Sequence, residues 1–194
     1  MTTPTELLGR IADPTDSSDG GTRVVTFDRL YRTSVADLWE ACTDPDRLAR
    51  WFAPVSGDLE EGGTFVIHFD DDDTPRCRVT ACTAPTGFTW EWPQADAVSV
   101  VTVEVAQDPA GARLRLRHTG IRPTQATGYA AGWDTYVRRL EAWLSGVALP
   151  DWDETWGALH ALYAADGGAG GAATGADGAG GGADGETGAA ARRG

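Results

Sequence analysis

The spacing of the apolar residues changes near Gly62, from a helical period to a period of two. Before that point, Val24 to Tyr31 is rich in β-branched and aromatic residues and predicts a strand. Ser34 predicts the start of a helix, because Asp37 follows three residues later as in a capping box. The apolar residues of this helix share one face, at the spacing i, i+3, i+4, i+7: Val35, Leu38, Trp39 and Cys42.

A second short helix follows directly. Asp44 is a favourable N-cap, and Pro45 is favoured at the first helical position. The apolar residues of this helix are Leu48, Trp51 and Phe52. Pro54 ends it, because proline cannot continue a helix.

After Gly62 the alternation of apolar and polar residues predicts five strands. They are Thr64–Phe69, Arg76–Thr83, Phe88–Trp92, Val98–Ala106 and Ala112–Thr119. The connections between them are short and rich in Asp, Pro, Gly and Ala, which is typical of hairpins. We therefore expect an antiparallel meander.

The predicted sheet has two faces of opposite character. The apolar face carries Phe65, Ile67, Phe69, Cys77, Val79, Ala81, Phe88, Trp90, Trp92, Val101, Val103, Val105, Leu114 and Leu116. The other face carries His68, Arg76, Arg78, Thr80, Thr89, Glu91, Thr102, Glu104, Arg113, Arg115 and Arg117. We expect the polar face to be wet, with Glu104 pairing with the arginines of a neighbouring strand. The apolar face needs a cover.

A long helix over Tyr129–Val147 can supply that cover. Its apolar residues recur at helical spacing: Tyr129, Trp133, Tyr136, Val137, Leu140, Trp143, Leu144 and Val147. Gly146 and Pro150 end it, and an additional amphipathic helix is predicted over residues 150–165. The apolar stripe of this last helix is Trp152, Trp156, Leu159 and Tyr163. From residue 166 to residue 194 Gly and Ala dominate, which predicts a disordered tail.

The order of these elements predicts an α+β fold. A curved antiparallel sheet is expected to wrap around the long C-terminal helix, with two short helices after the first strand. A sheet that curls around a single helix tends to leave space beneath that helix. We place one domain at residues 22–149, after a flexible lead-in over residues 1–21 with a helical turn at Glu6 to Ile11.

Four segments of the chain resemble the START-like, helix-grip SRPBCC superfamily. They are Leu38 to Pro45, Leu48 to Pro54, Gly62 to Phe65, and Gly132-Trp133 with Leu140. Within that superfamily the chain looks most like the branch similar to the C-terminal domain of the activator of the ninety-kilodalton heat-shock protein ATPase. The resemblance extends from about Thr22 to Gly146 and implies the helix-grip fold.

The resemblance implies a fold more firmly than a function. Members of the superfamily bind hydrophobic small molecules in the cavity, serve as co-chaperone modules, act as cyclases, or are associated with stress responses. This chain departs from the co-chaperone pattern because it has no lysine for a basic contact with an ATPase partner. It also has no second, co-chaperone-type domain, and the helix after Pro150 and the tail lie beyond the shared region.

The charge and composition of the chain disfavour some classes of binding partner. The 194 residues carry a formal net charge of -13 at pH 7, which disfavours phosphate backbones and anionic lipids. We therefore expect no nucleic acid and no membrane partner. The chain lacks an apolar run of spanning length and an N-terminal apolar signal region, so we expect a cytoplasmic protein. Cys42, Cys77 and Cys82 predict reduced thiols, since Cys77 and Cys82 should lie on opposite faces of one strand.

His118 is the residue with the most chemical potential. Alternation from Leu114 and Leu116 places it on the cavity side of a strand end, where it serves either a ligand or the hydrogen bonding of the sheet edge. The histidines lack metal-ligand spacing, and Asp70–Asp73 lacks the pattern of a calcium loop. We expect no metal, no cofactor and no catalytic residue, because nucleophile and phosphate-loop motifs are also missing.

The predicted helix-sheet seam carries our candidate ligand-binding residues. They are Phe52, Phe65, Ile67, Phe69, Trp90, Trp92, Val101, Val103, Leu116, His118, Tyr129, Trp133, Tyr136 and Val137. The polar groups that could orient a ligand are Gln125, His118, Tyr129 and Tyr136.

These residues favour a module that binds a small hydrophobic molecule. One alternative is a chaperone-associated or stress-response adaptor, which would meet a protein partner through Trp152, Trp156 and Tyr163. The other is a cyclase-like or hydrolase-like enzyme that uses His118 or Tyr129 for proton transfer. The nearby acids, Asp134 and Glu91, map to outward positions, which weakens the enzymatic alternative.

Overall fold

The computed structural model describes residues 8–13 and 21–169. Residues 170–194 of the predicted tail and Glu6 of the predicted helical turn lie outside the described residues. The described part forms one eight-stranded antiparallel sheet and four α-helices, in the helix-grip arrangement that the sequence predicts.

The sheet contains every strand predicted from the alternation. The strands are β1 (Arg10–Ala12), β2 (Arg23–Tyr31), β3 (Val55–Gly57), β4 (Thr64–Ile67), β5 (Arg76–Thr83), β6 (Gly87–Pro93), β7 (Val98–Asp108) and β8 (Gly111–Ile121). Their order across the sheet is β1-β2-β8-β7-β6-β5-β4-β3. The strands β4 to β8 therefore form the expected meander.

The four helices are α1 (Val35–Thr43), α2 (Pro45–Trp51), α3 (Ala126–Leu144) and α4 (Trp152–Ala169). The helices α1 and α2 begin where their caps predict, whereas α3 begins earlier than predicted. The Ser34 side chain accepts a hydrogen bond from the backbone N–H of Asp37, and Asp44 accepts one from Arg47. A short 3-10 turn, Pro123–Gln125, leads into α3, so this helix starts three residues before the predicted Tyr129. It also ends three residues early, because Gly146 adopts a positive φ of 67°.

Two short strands have no counterpart in the sequence prediction. The helical turn predicted up to Ile11 is wrong, because Arg10 to Ala12 pairs with β2 as an edge strand. Val55 to Gly57 pairs with β4 at the other edge. In a strand of three residues, an alternation of apolar and polar side chains is too short to recognise in the sequence. Such strands are identified only by their pairing with a neighbouring strand in the structure.

A β-bulge in β5 reverses part of the predicted alternation. The register shifts between Val79 and Ala81, so Ala81 is exposed and not on the apolar face as expected. Cys82 turns inward opposite Phe88, which corrects the prediction that Cys77 and Cys82 lie on opposite faces. At this point in β5 the carbonyl of Val79 accepts a hydrogen bond from the backbone N–H of Gly62, in the β3–β4 turn.

The arginines on the polar face of the sheet form ion pairs with different partners from the predicted one. Arg113 and Arg115 both contact Asp28 of β2, and Arg113 also contacts Asp108. These arginines hold the pKa of Asp28 below its ordinary value, although burial of the carboxyl acts in the opposite direction. The expected partner Glu104 faces Arg115 across the ladder but forms no ion pair within the described residues.

Helix α4 packs on α3 and extends four residues past the predicted end at Ala165. Tyr163, almost fully buried on α4, donates to Asp134 Oδ2 of α3 at 2.8 Å. The same hydroxyl accepts a hydrogen bond from the backbone N–H of Gly9, just before β1. One tyrosine thus joins the start of the described chain, the central helix and the last helix.

Candidate functional site

The predicted lining residues converge between the sheet and the helices α2 and α3. Among them, Phe52 and Tyr129 are half-buried and the other residues are buried. Strands β4 to β8 supply one wall, and α3 supplies Tyr129, Trp133, Tyr136 and Val137. Thirteen of the fourteen sequence-predicted residues thus lie in one core cluster or at its margin, and the His118 ring contacts Trp92, Tyr129 and Trp133 of that cluster.

Aromatic rings pack against one another beneath the first half of α3. Phe52 stacks parallel to Trp133, with 5.9 Å between the ring centroids and 4° between the planes. Its ring also meets Tyr136 at 4.5 Å and Phe69 at 5.6 Å, and Trp92 lies 5.9 Å from Phe69. These contacts make a continuous cluster of aromatic rings between α3 and the sheet.

His118 lies within this packed region and is fully engaged. Trp133 Nε1 is a donor only and lies 3.0 Å from His118 Nδ1, so Nδ1 accepts and Nε2 carries the proton. His118 Nε2 then donates to Ser99 Oγ at 2.8 Å, and the Ser99 hydroxyl donates to the carbonyl of Trp92. Burial lowers the pKa of His118 to about 3. This histidine is neutral at physiological pH and its hydrogen-bonding capacity is filled.

A second ring cluster lies on strands β4 and β6. It consists of Phe65, Phe88 and Trp90, with centroids 5.3 to 6.3 Å apart. Trp90 faces Val79 and Val101 on the adjoining strands. The indole Nε1 of Trp90 is buried and has no hydrogen-bond partner among the described residues.

A cleft of about 380 Å³ lies directly in front of this second cluster. The junction of α1 and α2 forms one side, and the β3–β4 and β5–β6 turns form the other. Its lining consists of Trp39, Thr43, Pro45, Gly57, Asp58, Leu59, Glu60, Cys82, Ala84 and Phe88. Phe88 therefore faces the cleft and also contacts Trp90.

Sequence reasoning missed most of the cleft. The sequence pattern assigned Phe88 to an apolar sheet face and Trp39 to an apolar helix face. It did not predict that these two residues line the same cleft between α1 and the sheet. Cys82 reaches the cleft because of the β5 bulge, and Leu59 stands in a turn without any periodic signal. Only the tertiary arrangement brings these residues together.

Polar groups gather at the far end of the seam, where α3 begins. The side-chain amide of Gln94 and Oε1 of Gln125 are buried without partners among the described residues. Arg122 pairs with Asp96 and so ties the 3-10 turn to the β6–β7 hairpin. Burial raises the pKa of Tyr129 to about 12, and the charge of Asp73 acts in the same direction. Tyr129 is therefore a neutral hydroxyl at physiological pH.

Asp134 does not map outward as the sequence pattern suggested. The residue is completely buried, because α4 covers the side of α3 that was expected to face solvent. Its carboxylate accepts hydrogen bonds from Tyr163 and from Arg138 Nε at 2.9 Å. The guanidinium of Arg29 lies 3.8 Å from the same oxygen. Asp134 therefore acts in the attachment of α4 and not in the ring clusters.

The apolar stripe of α4 packs against the protein. Trp152, Leu159 and Tyr163 are buried, and Trp156 is half-buried. The ring of Trp152 lies 4.4 Å from that of Tyr136. The surface that the adaptor hypothesis required is therefore covered.

Two further findings concern the described residues as a group. They contain no helix that is both long and apolar enough to cross a membrane. They also contain no cluster of three His, Cys, Asp or Glu side chains suited to a metal ion. The cysteines are free thiols, and burial raises the pKa of Cys42 and of Cys77 to about 12.

Comparison with protein-family models gives one match. The model described as "Activator of Hsp90 ATPase homolog 1-like protein" matches residues 32–145. This segment begins just before α1 and ends after α3, so it includes the cleft and both ring clusters. Comparison with the curated proteins gives no match.

Several solved structures are similar to this chain. CalU16 from Micromonospora echinospora is 24% identical over 81% of this chain and 96% of its own, with a TM-score of 0.67. The protein MLL2253 from Mesorhizobium loti is 28% identical over 66% of this chain and 100% of its own, with a TM-score of 0.60. DynU16, a protein in the dynemicin biosynthetic locus, is 22% identical over 66% of this chain and 50% of its own, with a TM-score of 0.61.

Proposed function

Because the chain belongs to the family of Activator of Hsp90 ATPase homolog 1-like proteins, within the SRPBCC superfamily, we propose that it binds a small hydrophobic molecule. The observation that carries this proposal is the cleft of about 380 Å³ in front of Phe88. Its volume falls within the range of about 300–1,000 Å³ that is usual for small-molecule sites.

The lining of the cleft supports an uncharged, largely apolar ligand. Trp39, Leu59 and Phe88 supply apolar contact surface, and the lining contains no arginine. Asp58 and Glu60 stand at the rim in the β3–β4 turn, where they disfavour an anionic ligand. A neutral molecule can lose its hydration in this cleft at a lower cost than an ion.

The proposed ligand contacts begin in the cleft and continue to Phe65 and Trp90. The remaining predicted lining residues form the packed wall behind them, from Val101 and Val103 to Trp133 and Tyr136. This arrangement moves the proposed binding position from beneath α3, where the sequence argument placed it, to the side of α1 and α2.

The two alternative functions receive less support from the same residues. Proton transfer by His118 is disfavoured, because the imidazole is neutral and both ring nitrogens are engaged. An adaptor role is disfavoured, because Trp152 and Tyr163 are buried against α3. We therefore propose binding, and neither catalysis nor a protein partner.

Titration of the full chain with N-phenyl-1-naphthylamine tests this proposal. This neutral probe emits more strongly in apolar surroundings, so a saturable rise in emission is expected for the unaltered protein. Leu59→Arg should reduce the affinity at least about tenfold, because it places a charge within the apolar cleft.

Leu30→Arg is the matched control. Leu30 is also an accessible leucine, with 41% exposure, but it lies on β2 away from the cleft. This variant should bind the probe as the unaltered protein does. Equal loss in both variants, or no saturable binding to the unaltered protein, would contradict the proposed site. Native mass spectrometry of freshly purified protein would then identify any natural ligand as a mass lost on denaturation.

A further inference from the structure

The indole N–H of Trp90 is a buried donor without an acceptor. The residue is only 7% exposed, and Nε1 has no hydrogen-bond partner within residues 8–13 and 21–169. Its ring neighbours are Phe65 and Phe88, and its cross-strand neighbours are Val79 and Val101. None of these side chains offers an oxygen or nitrogen.

Other buried indoles in the same core do find acceptors. Trp51 Nε1 donates to the carbonyl of Ala41 at 2.9 Å, and Trp133 Nε1 donates to His118 at 3.0 Å. Buried polar groups in folded proteins are almost always paired, since an unpaired donor loses its hydration without compensation. Trp90 therefore lacks the hydrogen-bond acceptor that Trp51 and Trp133 each have.

Trp90 stands one ring behind the cleft. Phe88 lies in the cleft wall, and its ring centroid is 5.3 Å from that of Trp90. The Phe88 ring therefore separates the cleft from Trp90, and a molecule bound in the cleft reaches the indole when that ring turns aside. The strand β6 fixes this position, because Trp90 is paired on both sides, with β5 and with β7.

We infer that Trp90 Nε1–H donates a hydrogen bond to a carbonyl oxygen of the bound molecule, so that the natural ligand is a neutral hydrophobic ketone, aldehyde, quinone, ester or amide. This inference rests on the proposed function and adds the ligand class. An indole N–H can only donate, so the complementary ligand group must be an acceptor. A carboxylate is disfavoured, because the rim carries Asp58 and Glu60 and the lining carries no arginine.

A pair of probes that differ at one position tests this inference. Benzophenone carries a carbonyl where diphenylmethane carries a methylene group, and the two molecules are otherwise alike. Their dissociation constants are measured on the full chain by displacement of N-phenyl-1-naphthylamine. The ratio of the two constants is then compared between the unaltered protein and Trp90→Phe, so that the different hydration of the two probes cancels.

Trp90→Phe should reduce the preference for benzophenone by about fivefold or more, because it deletes the donor and keeps an aromatic ring. Trp156→Phe is the matched control. Trp156 Nε1 is also buried without a partner among the described residues, but it belongs to α4 and stacks on His160, whereas Trp90 contacts Phe88 of the cleft lining. This variant should keep the original preference.

Nuclear magnetic resonance gives a second measurement that does not depend on the variant folding well. With ¹⁵N-labelled tryptophan, the Trp90 Nε1–H signal should move downfield with benzophenone and not with diphenylmethane. An unchanged preference in Trp90→Phe, or a Trp90 signal that responds alike to both probes, overturns the inference and leaves the proposed function standing. Failure of all three probes to bind overturns both.

Discussion

At the scale of single residues, His118 illustrates how partners decide chemistry. The alternation of β8 predicted its inward direction, and the structure confirms it. Its role follows from the chain of hydrogen bonds from Trp133 through His118 and Ser99 to the carbonyl of Trp92. A neutral imidazole with both nitrogens engaged stabilises the packing of α3 on the sheet. It is poorly placed to accept a further proton.

Stability should therefore fall as the pH drops below 6.5. The pKa of His118 is about 3 in the folded protein, against 6.5 for an unperturbed histidine. Between these values the unfolded chain binds a proton that the folded protein does not, so lowering the pH favours unfolding. Between pH 6.5 and pH 5 the free energy of unfolding should fall by about 2 kcal/mol. Urea denaturation at a series of pH values measures this.

In His118→Gln the free energy of unfolding should depend less on pH, whatever the effect of the substitution on stability at neutral pH. His160→Gln is the control, because His160 lies on α4 and takes no part in the His118 network. An unchanged slope in His118→Gln would show that other groups produce the pH dependence.

At the scale of elements, α4 makes a buried polar contact that the sequence could not reveal. Its apolar stripe predicted a helix with a buried face, but not the surface that it covers. In the structure α4 lies on α3, and Tyr163 meets Asp134 there. The same hydroxyl holds Gly9 beside the short edge strand β1. The first and last described elements are thus tied to the central helix through the same oxygen.

Tyr163→Phe should lower the free energy of unfolding by about 2 kcal/mol, because a buried carboxylate oxygen and a backbone N–H both lose a partner. Tyr31→Phe is a suitable comparison. The Tyr31 hydroxyl makes one hydrogen bond, to the carbonyl of Val137 at 3.2 Å, so its removal should cost about 1 kcal/mol. Chemical denaturation measures both values.

Hydrogen exchange adds a local readout for the same contact. The amide of Gly9 should exchange faster in Tyr163→Phe and unchanged in Tyr31→Phe, because only the first variant removes its acceptor. Equal exchange of this amide in both variants would contradict the role assigned to Tyr163.

At the scale of the whole molecule, the packing of α3 and α4 bears on the binding position that we propose. Stacked rings occupy the space beneath the first half of α3, and α4 covers its other side. The cleft lies beside α1 and α2, near the β3–β4 and β5–β6 turns. A ligand bound there, as we propose, would bridge the short helices and the sheet.

A ligand that bridges these parts should stabilise the whole fold. At a probe concentration about 100 times its dissociation constant, linkage predicts a gain of about 2.7 kcal/mol in the free energy of unfolding. For a domain of this size that corresponds to a rise in Tm of about 5–10 °C. Scanning calorimetry with benzophenone measures this for the full chain, and Leu59→Arg should abolish the rise. A Tm that stays constant up to saturation would contradict binding to the folded state alone.

The sequence by itself determined the elements and their inner and outer faces. Ser34 and Asp44 marked the starts of α1 and α2, and alternation assigned the inward residues of the meander apart from Ala81 and Cys82. These features depend on interactions between near neighbours in the chain, such as caps and the period of a strand. Segments between Leu38 and Leu140 also resembled the family whose model matches residues 32–145.

Only the tertiary structure decided which groups meet. Asp134 lay on the predicted solvent-facing side of α3, but α4 covers it, and Ala81 faces outward because the β5–β6 register shifts between Val79 and Ala81. The cleft that Trp39 and Phe88 line is likewise formed by segments that are distant in the sequence. The same is true of the surroundings of Trp90, whose indole N–H has no acceptor among the described residues. The physical reason is that a helix or strand period says which face of an element is apolar. The packing of one element on another decides which of those faces are filled, which polar atoms find partners, and where space remains.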